Sequence, residues 1–251
     1  MKTVLPNVLA SRYASEAMVD LWSPQRKVKL EREFWLAVME AQRDLGVEIP
    51  DESIEAYRRV VGKVDLQSID DRERVTRHDV KARIEEFNEL AGFEQIHKGM
   101  TSRDLTENVE QRQIRCGLEL VRDRASACLD LIGQRAAEYC ELAMAGRSHN
   151  VPAQVTSMGK RFANIAEELL VAFDGLEAII PRLPLRGIKG PVGTQQDMLD
   201  LLHGDADKLQ ALDERIAEIL GFETWFDSVG QVYPRSLDFE VVTMLAQLSS
   251  A

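Results

Sequence analysis

Apolar side chains recur at three- and four-residue spacing along most of the chain, the period of a helix with one buried face. Between Ser23 and Leu45 the positions Val28, Phe34, Trp35, Ala37, Val38, Met39 and Ala41 follow it. Ser23 is a capping residue, Pro24 suits the first helical position, and Gly46 is a natural stop. The same pattern predicts short helices over 51–61, 65–75 and 80–91, the last closed by Gly92. The longest predicted helix runs over 104–145, without proline, with Leu105, Val109, Leu120, Cys128, Leu131 and Leu142 along one stripe. If continuous it is roughly 60 Å long at 1.5 Å per residue. A rod of that length needs partner helices, from its own chain or from other subunits. A loop at 146–152 leads into a second long helix over 153–180, closed by Pro181 and Pro184.

The stretch 185–194 is glycine-rich and reads as a loop or short hairpin. A helix over 205–220 stops at Gly221, and a last one starts at Ser236 with Phe239, Val242 and Leu245 on one stripe. Nothing alternates long enough to predict a sheet, and no internal repeat is evident. The fold class expected is therefore all-α. The last helix stops in mid-pattern at Ser250-Ala251 without a C-cap, so the chain is expected to be part of a longer protein.

Composition narrows the function. The chain has 251 residues, 45% hydrophobic and 29% charged, and a net charge of −11. This is a globular composition, and the negative excess opposes binding to nucleic acid. No apolar run approaches a membrane span, and the first ten residues lack the apolar stretch of a signal peptide. The three cysteines, Cys116, Cys128 and Cys140, match neither a disulfide framework nor a metal-ligand spacing. We expect reduced thiols, a cytoplasmic location and no bound metal.

Candidate chemistry lies in a few polar segments. His78 sits in Thr76-Arg77-His78-Asp79, and His97 opens the run that ends in Thr101-Ser102-Arg103-Asp104. That run starts the long helix. Its hydroxyls and carboxylate can cap free N–H groups, and the same helix start can bind a carboxylate or phosphate. His149 lies in the loop Gly146-Arg147-Ser148-His149-Asn150-Val151-Pro152, where a general acid or base near neutral pH is one reading and a plain connection is the other. A second glycine loop runs Gly187-Ile188-Lys189-Gly190-Pro191-Val192-Gly193-Thr194. His203, beside Gly204, reads as structural or solvated. Nucleotide-loop, zinc and serine-elbow motifs are missing.

Taken in order, these segments resemble the fumarase/aspartase superfamily and, within it, the adenylosuccinate lyase family. Ser11-Arg12-Tyr13, Thr76-Arg77-His78-Asp79, His97-x-Gly99-x-Thr101-Ser102-x-Asp104, the 146–154 loop, the Lys189–Thr194 loop and Gly230-Gln231-Val232-Tyr233-Pro234-Arg235 carry the likeness. Arg12-Tyr13, Arg77-His78-Asp79 and Gln231 together point to that family. The resemblance implies a long-helix bundle with a smaller N-terminal helical domain. The small domain is expected at 1–100 and the first part of the bundle at 101–251. It implies a homotetramer with active sites shared between subunits, a nucleotide substrate, and no metal or organic cofactor. The implied reaction eliminates fumarate from adenylosuccinate, and from the succinylated aminoimidazole carboxamide ribotide.

By position, the resemblance makes His149 the general acid and His78 its neighbour at the leaving group and phosphate. Arg12, Tyr13, Arg77, Asp79 and Gln231 become substrate contacts, and Thr101 and Ser102 contacts to the succinyl carboxylates. The family's Gly-Ser-Ser loop, with the serine that removes the carbon-bound proton, does not occur and is expected beyond Ala251. Asn150 stands where many relatives have Gly. Two alternatives stay open: a sister lyase, such as argininosuccinate lyase or a cycloisomerase, and a helical scaffold without activity.

Overall fold

A computed structural model describes residues 7–251; residues 1–6, part of the stretch read as lacking a signal peptide, lie outside the described residues. Helices dominate in chain order. They are α1 (Val8–Tyr13), α2 (Glu16–Leu21), α3 (Pro24–Asp44), α4 (Asp51–Val60), α5 (Leu66–Thr76), α6 (Asp79–Ala91) and α7 (Ser102–Glu138). An antiparallel hairpin of β1 (Ala143–Ser148) and β2 (Val151–Ser157) follows, then α8 (Met158–Ile179), α9 (Gln196–Leu201), α10 (Ala206–Leu220) and α11 (Ser236–Ser250). The all-α class holds, with this hairpin the one sheet among the described residues.

The chain forms two compact units, one of residues 7–116 and 182–234, the other of 117–181 and 235–251. In the first, α3 is the central element. Ser23 caps it by accepting from the Arg26 N–H at 3.1 Å, with Pro24 behind, as the sequence predicts. Leu30, Phe34, Trp35, Val38 and Met39 pack with Ile54 and Tyr57 of α4 and with Val80 and Phe87 of α6. Leu105 and Val109 of α7 and Leu212 and Ile216 of α10 complete the same core. Leu185 and Ile188 enter it too, so 182–234 closes back onto the N-terminal helices. Arg32 is buried here. It pairs with Glu86, donates to the carbonyls of Val60 and Val61 at 3.1 and 3.2 Å, and lies over the Phe87 ring. A buried guanidinium is tolerable only with such partners.

In the second unit, α8 and α11 pack beside the later part of α7. Gly159 and Gly175 permit close approach: a Cβ at Gly159 would lie 2.3 Å from the Ala136 carbonyl, and one at Gly175 2.9 Å from Met244 Sδ. Leu118, Ala172, Leu176, Ile179, Val241 and Met244 are buried. Leu131, Ile165, Val171, Phe239 and Val242 stay exposed, which leaves an apolar surface on these helices.

The structure corrects two expectations. Helix α7 ends at Glu138 and not at Ala145, and the segment expected as a loop and helix start is a hairpin. Val151, Val155 and Thr156 favour extended backbone, and the two-residue turn between Ser148 and Val151 pairs the two arms. The helix start moves to Ser157, whose Oγ accepts from the Lys160 N–H at 3.2 Å. The Leu185–Thr194 stretch is a loop, joined to Trp225 by a single bridge at Leu185.

Candidate active site

Three connections of the first unit converge on the start of α7. The turn between α5 and α6 carries Arg77 and His78. Arg77 closes α5 in the left-handed region, φ 51°, where glycine is the usual occupant and other residues cost about 1–2 kcal/mol. Its N–H reaches the Glu73 carbonyl at 2.7 Å and its side chain is exposed. His78 is the N-cap of α6: the Lys81 N–H donates to His78 Nδ1 at 3.1 Å. With Nδ1 an acceptor, the ring proton of the neutral form sits on Nε2. That atom lies 3.4 Å from Ser102 Oγ. His78 and Ser102, far apart in sequence, are thus brought together.

Asp79 follows at the first position of α6. Its Oδ1 is 3.8 Å from His78 Nδ1, and Arg83 donates to its Oδ2 at 3.1 Å and to Glu31 Oε1 at 2.8 Å. The start of α7 is closed from within: the Thr101 N–H donates to Asp104 Oδ2 at 2.8 Å. Thr101 and Ser102 are half-buried; the Thr101 N–H is taken by the Asp104 carboxylate, and the Ser102 hydroxyl faces His78.

His97 belongs to this cluster, though only its motif and not the residue itself was singled out from sequence. The Trp35 indole N–H donates to His97 Nδ1 at 3.1 Å, with the two rings edge to face. Burial pushes the imidazole down to about 4, and nearby His78 adds to the effect. His97 is therefore neutral at physiological pH, with its proton on Nε2. The available signal was its place four residues ahead of Thr101.

The two glycine-loop segments lie close behind. Arg186, fully buried, pairs with Asp104 and with Glu107, Nε to Oε2 at 3.1 Å, and donates to the Gln231 carbonyl at 3.1 Å. The Gln231 side chain is exposed. Lys189 is not a free cation: its Nζ lies 2.6 Å from Asp213 Oδ2, both side chains nearly buried. Gly193, φ +82°, passes so near residue 229 that a Cβ would lie 1.9 Å from the Val229 carbonyl.

The remaining two predicted groups sit on other elements. Arg12 and Tyr13 end the exposed helix α1, and neither side chain bonds to another described residue. His149 belongs to the second unit, at the tip of the β1–β2 hairpin. His149 and Asn150 have φ of 50° and 62°, the paired left-handed residues of a type I′ turn. The bond from Arg147 to the Asn150 carbonyl at 3.0 Å ties the tip, and His149 is exposed. Among the described residues, no group of His, Cys, Asp and Glu is arranged to hold a metal ion.

Comparison with known proteins shows what the chain is similar to. No family model matches the chain. Adenylosuccinate lyase of Saccharomyces cerevisiae is 35% identical over 249 residues, 96% of this chain and 51% of that protein. Adenylosuccinate lyase of Schistosoma mansoni is 33% identical over 247 residues, 97% of this chain and 52% of that protein. Over nearly its whole length the chain is similar to adenylosuccinate lyases. It spans about half the length of the curated relatives it matches. The fold is shared with solved structures. The fumarate lyase of Mesorhizobium sp. BNC1 superposes with a TM-score of 0.76 at 24% identity, over 94% of this chain and 54% of that one. The 3-carboxy-cis,cis-muconate lactonizing enzyme of Pseudomonas putida gives 0.78 at 18% identity, over 96% and 54%.

Proposed function

We propose that the chain is part of an enzyme that eliminates fumarate from adenylosuccinate to give AMP. The same enzyme would act on the succinylated aminoimidazole carboxamide ribotide. The observation that carries this reading is the His78–Ser102 pair at the start of α7, in a chain whose curated relatives bear the adenylosuccinate lyase name. Removing the proton beside a carboxylate leaves a carbanion stabilised as a dianion, which needs preorganised donors. The first turn of α7 supplies free N–H groups and the Ser102 and Thr101 hydroxyls. His78 presents Nε2–H as a donor, and so does neutral His97.

In this reading Arg12, Tyr13, Arg77, Asp79 and Gln231 contact the nucleotide. The substrate is strongly anionic, so local arginines must offset a chain charge of −11. His149, at the hairpin tip, protonates the departing nitrogen. A homotetramer with shared active sites accounts for the apolar residues left exposed on α8 and α11, and we place the enzyme in the cytoplasm. No described helix is long and apolar enough to cross a membrane. A sister lyase or an inactive scaffold is less well supported, since the curated relatives at 33–35% identity share the one name.

The test is fumarate release by the full-length protein from adenylosuccinate and from argininosuccinate, followed by proton NMR. Release from the first alone is expected. Release from argininosuccinate alone, or from neither, would overturn the reading.

A further inference from the structure

Arg186 lies outside the set of substrate contacts proposed above, yet a dense polar network converges on it. Its guanidinium is fully buried between Asp104 and Glu107, which sit one turn apart on α7. Its NH2 is shared among three carbonyls, those of Gly190 at 3.3 Å, Gly230 at 3.1 Å and Gln231 at 3.1 Å. The two carboxylates are shared in turn. Asp104 also accepts from the backbone N–H groups of Thr101, Lys189 and Gly190, at 2.8, 2.8 and 3.1 Å. Glu107 also accepts from the Tyr233 N–H at 3.0 Å.

An unbroken path of charge-assisted bonds therefore runs from the Thr101 amide through Asp104 and Arg186 to the Gln231 carbonyl. The hub is sealed from solvent, whereas Gln231 is exposed and Thr101 and Ser102 are half-buried. Arg186 can thus act on a ligand only through what it holds. A lysine could not replace it, because one ammonium lacks the planar fork that serves two carboxylates and four carbonyls at once, the fourth being that of Gly187.

We propose that Arg186 is a positioning residue that sets Gln231 against the Thr101–Ser102 helix start. The inference rests on the reading of Gln231 as a substrate contact.

The experiment is a double-mutant cycle in the full-length protein, with wild type, Arg186→Lys, Gln231→Ala and the double variant. Each is checked for a cooperative melt, and kcat/KM for fumarate release from adenylosuccinate is measured. Arg186→Lys is expected to lower kcat/KM by about 10–10²-fold, the scale of a misplaced contact. In the Gln231→Ala background the same substitution is expected to cost less than about threefold. Equal losses in both backgrounds would overturn the proposal and leave Arg186 a purely structural group. A Gln231→Ala enzyme within about twofold of wild type would overturn it too, because nothing would then need positioning.

If the wild type releases no fumarate, the activity reading fails by itself, and the positioning is read from amide exchange. Exchange at 230–233 and at Thr101–Ser102 is expected to rise together by about tenfold in Arg186→Lys, with α3 unchanged. Unchanged exchange at those segments overturns the proposal. Should Arg186→Lys not fold, Glu107→Gln takes its place in the cycle. It keeps an acceptor for Tyr233 and removes one of the two anchoring charges, so the same coupling is expected with a smaller loss.

Discussion

Glu31 is fully buried on α3, with Oε1 bonded to Arg83 and Oε2 without a hydrogen-bond partner. Burial pushes its carboxyl up from an ordinary 4.5 to about 7; Arg83 and Lys27 oppose the rise and Asp79 adds to it. Burial moves His97 the other way, from 6.5 down to about 4, and the two leave opposite signatures. The folded state holds the Glu31 proton more tightly than the unfolded chain does. The stability this gives is complete below pH 4.5 and is lost as pH rises through about 7. For His97 the unfolded chain takes the proton first. Its contribution is complete above pH 6.5 and is lost as pH falls through about 4. Each slope is about 1.4 kcal/mol per pH step, so between about pH 4.5 and 6.5 the two cancel.

Glu31→Gln keeps an acceptor for Arg83 but cannot titrate, so it exposes the hidden slope. The stability of the variant relative to wild type should rise by about 3 kcal/mol between about pH 4 and pH 8. Other titrating groups, buried Asp213 among them, are common to both proteins and cancel in the difference. The assay is urea unfolding followed by tryptophan fluorescence at intervals across that range. A difference constant to within about 0.5 kcal/mol would refute the reasoning, because Glu31 would then be a carboxylate at no special cost.

Three further outcomes are expected. Gly193→Ala should destabilise the first unit by about 2–5 kcal/mol, combining a left-handed alanine with a clash against the Val229 carbonyl; a melting temperature within about 2 °C of wild type would count against it. His149→Ala in the full-length protein should cut turnover by about 10²–10⁴-fold while fold and assembly persist, and near-normal turnover would remove it from the mechanism. Ser102→Ala should weaken adenylosuccinate binding more than AMP binding in a background blocked for turnover. Equal losses there would make Ser102 a helix cap alone.

Much of the helical framework was legible because its ends carry local chemistry. Ser23-Pro24, Asp65, Gly92 and Asp205-to-Gly221 mark helix boundaries that the structure reproduces to within a residue or two. The hairpin was not legible, because Val151 and Val155 are both exposed and no buried face imposes alternation. Helices α1, α2 and α9 are six residues each, too short to show a period. At the site, His78 and Ser102 could be nominated one by one, but their contact depends on the α5–α6 turn meeting the start of α7. Lys189 and Arg186 illustrate the limit. Nothing in their neighbourhood in the sequence shows that they are buried, because their partners Asp213, Asp104 and Glu107 come from other segments.

The first unit is built from two stretches of chain with the other unit's 117–181 segment between them. During synthesis the ribosome must add roughly 120 residues after Cys116 before the first unit can be finished, about 6–24 s at ordinary elongation rates. Asp104 and Glu107 emerge early, whereas Arg186 and Lys189 arrive only with the second stretch. Two carboxylates cannot enter a dry core unpaired, so until then the start of α7 must stay hydrated and its neighbours loosely packed. The part of the core that Leu185, Ile188, Leu212 and Ile216 fill beside Trp35, Phe87 and Leu105 is open for that interval. Arrival of Arg186 acts as the latch that ends this exposure.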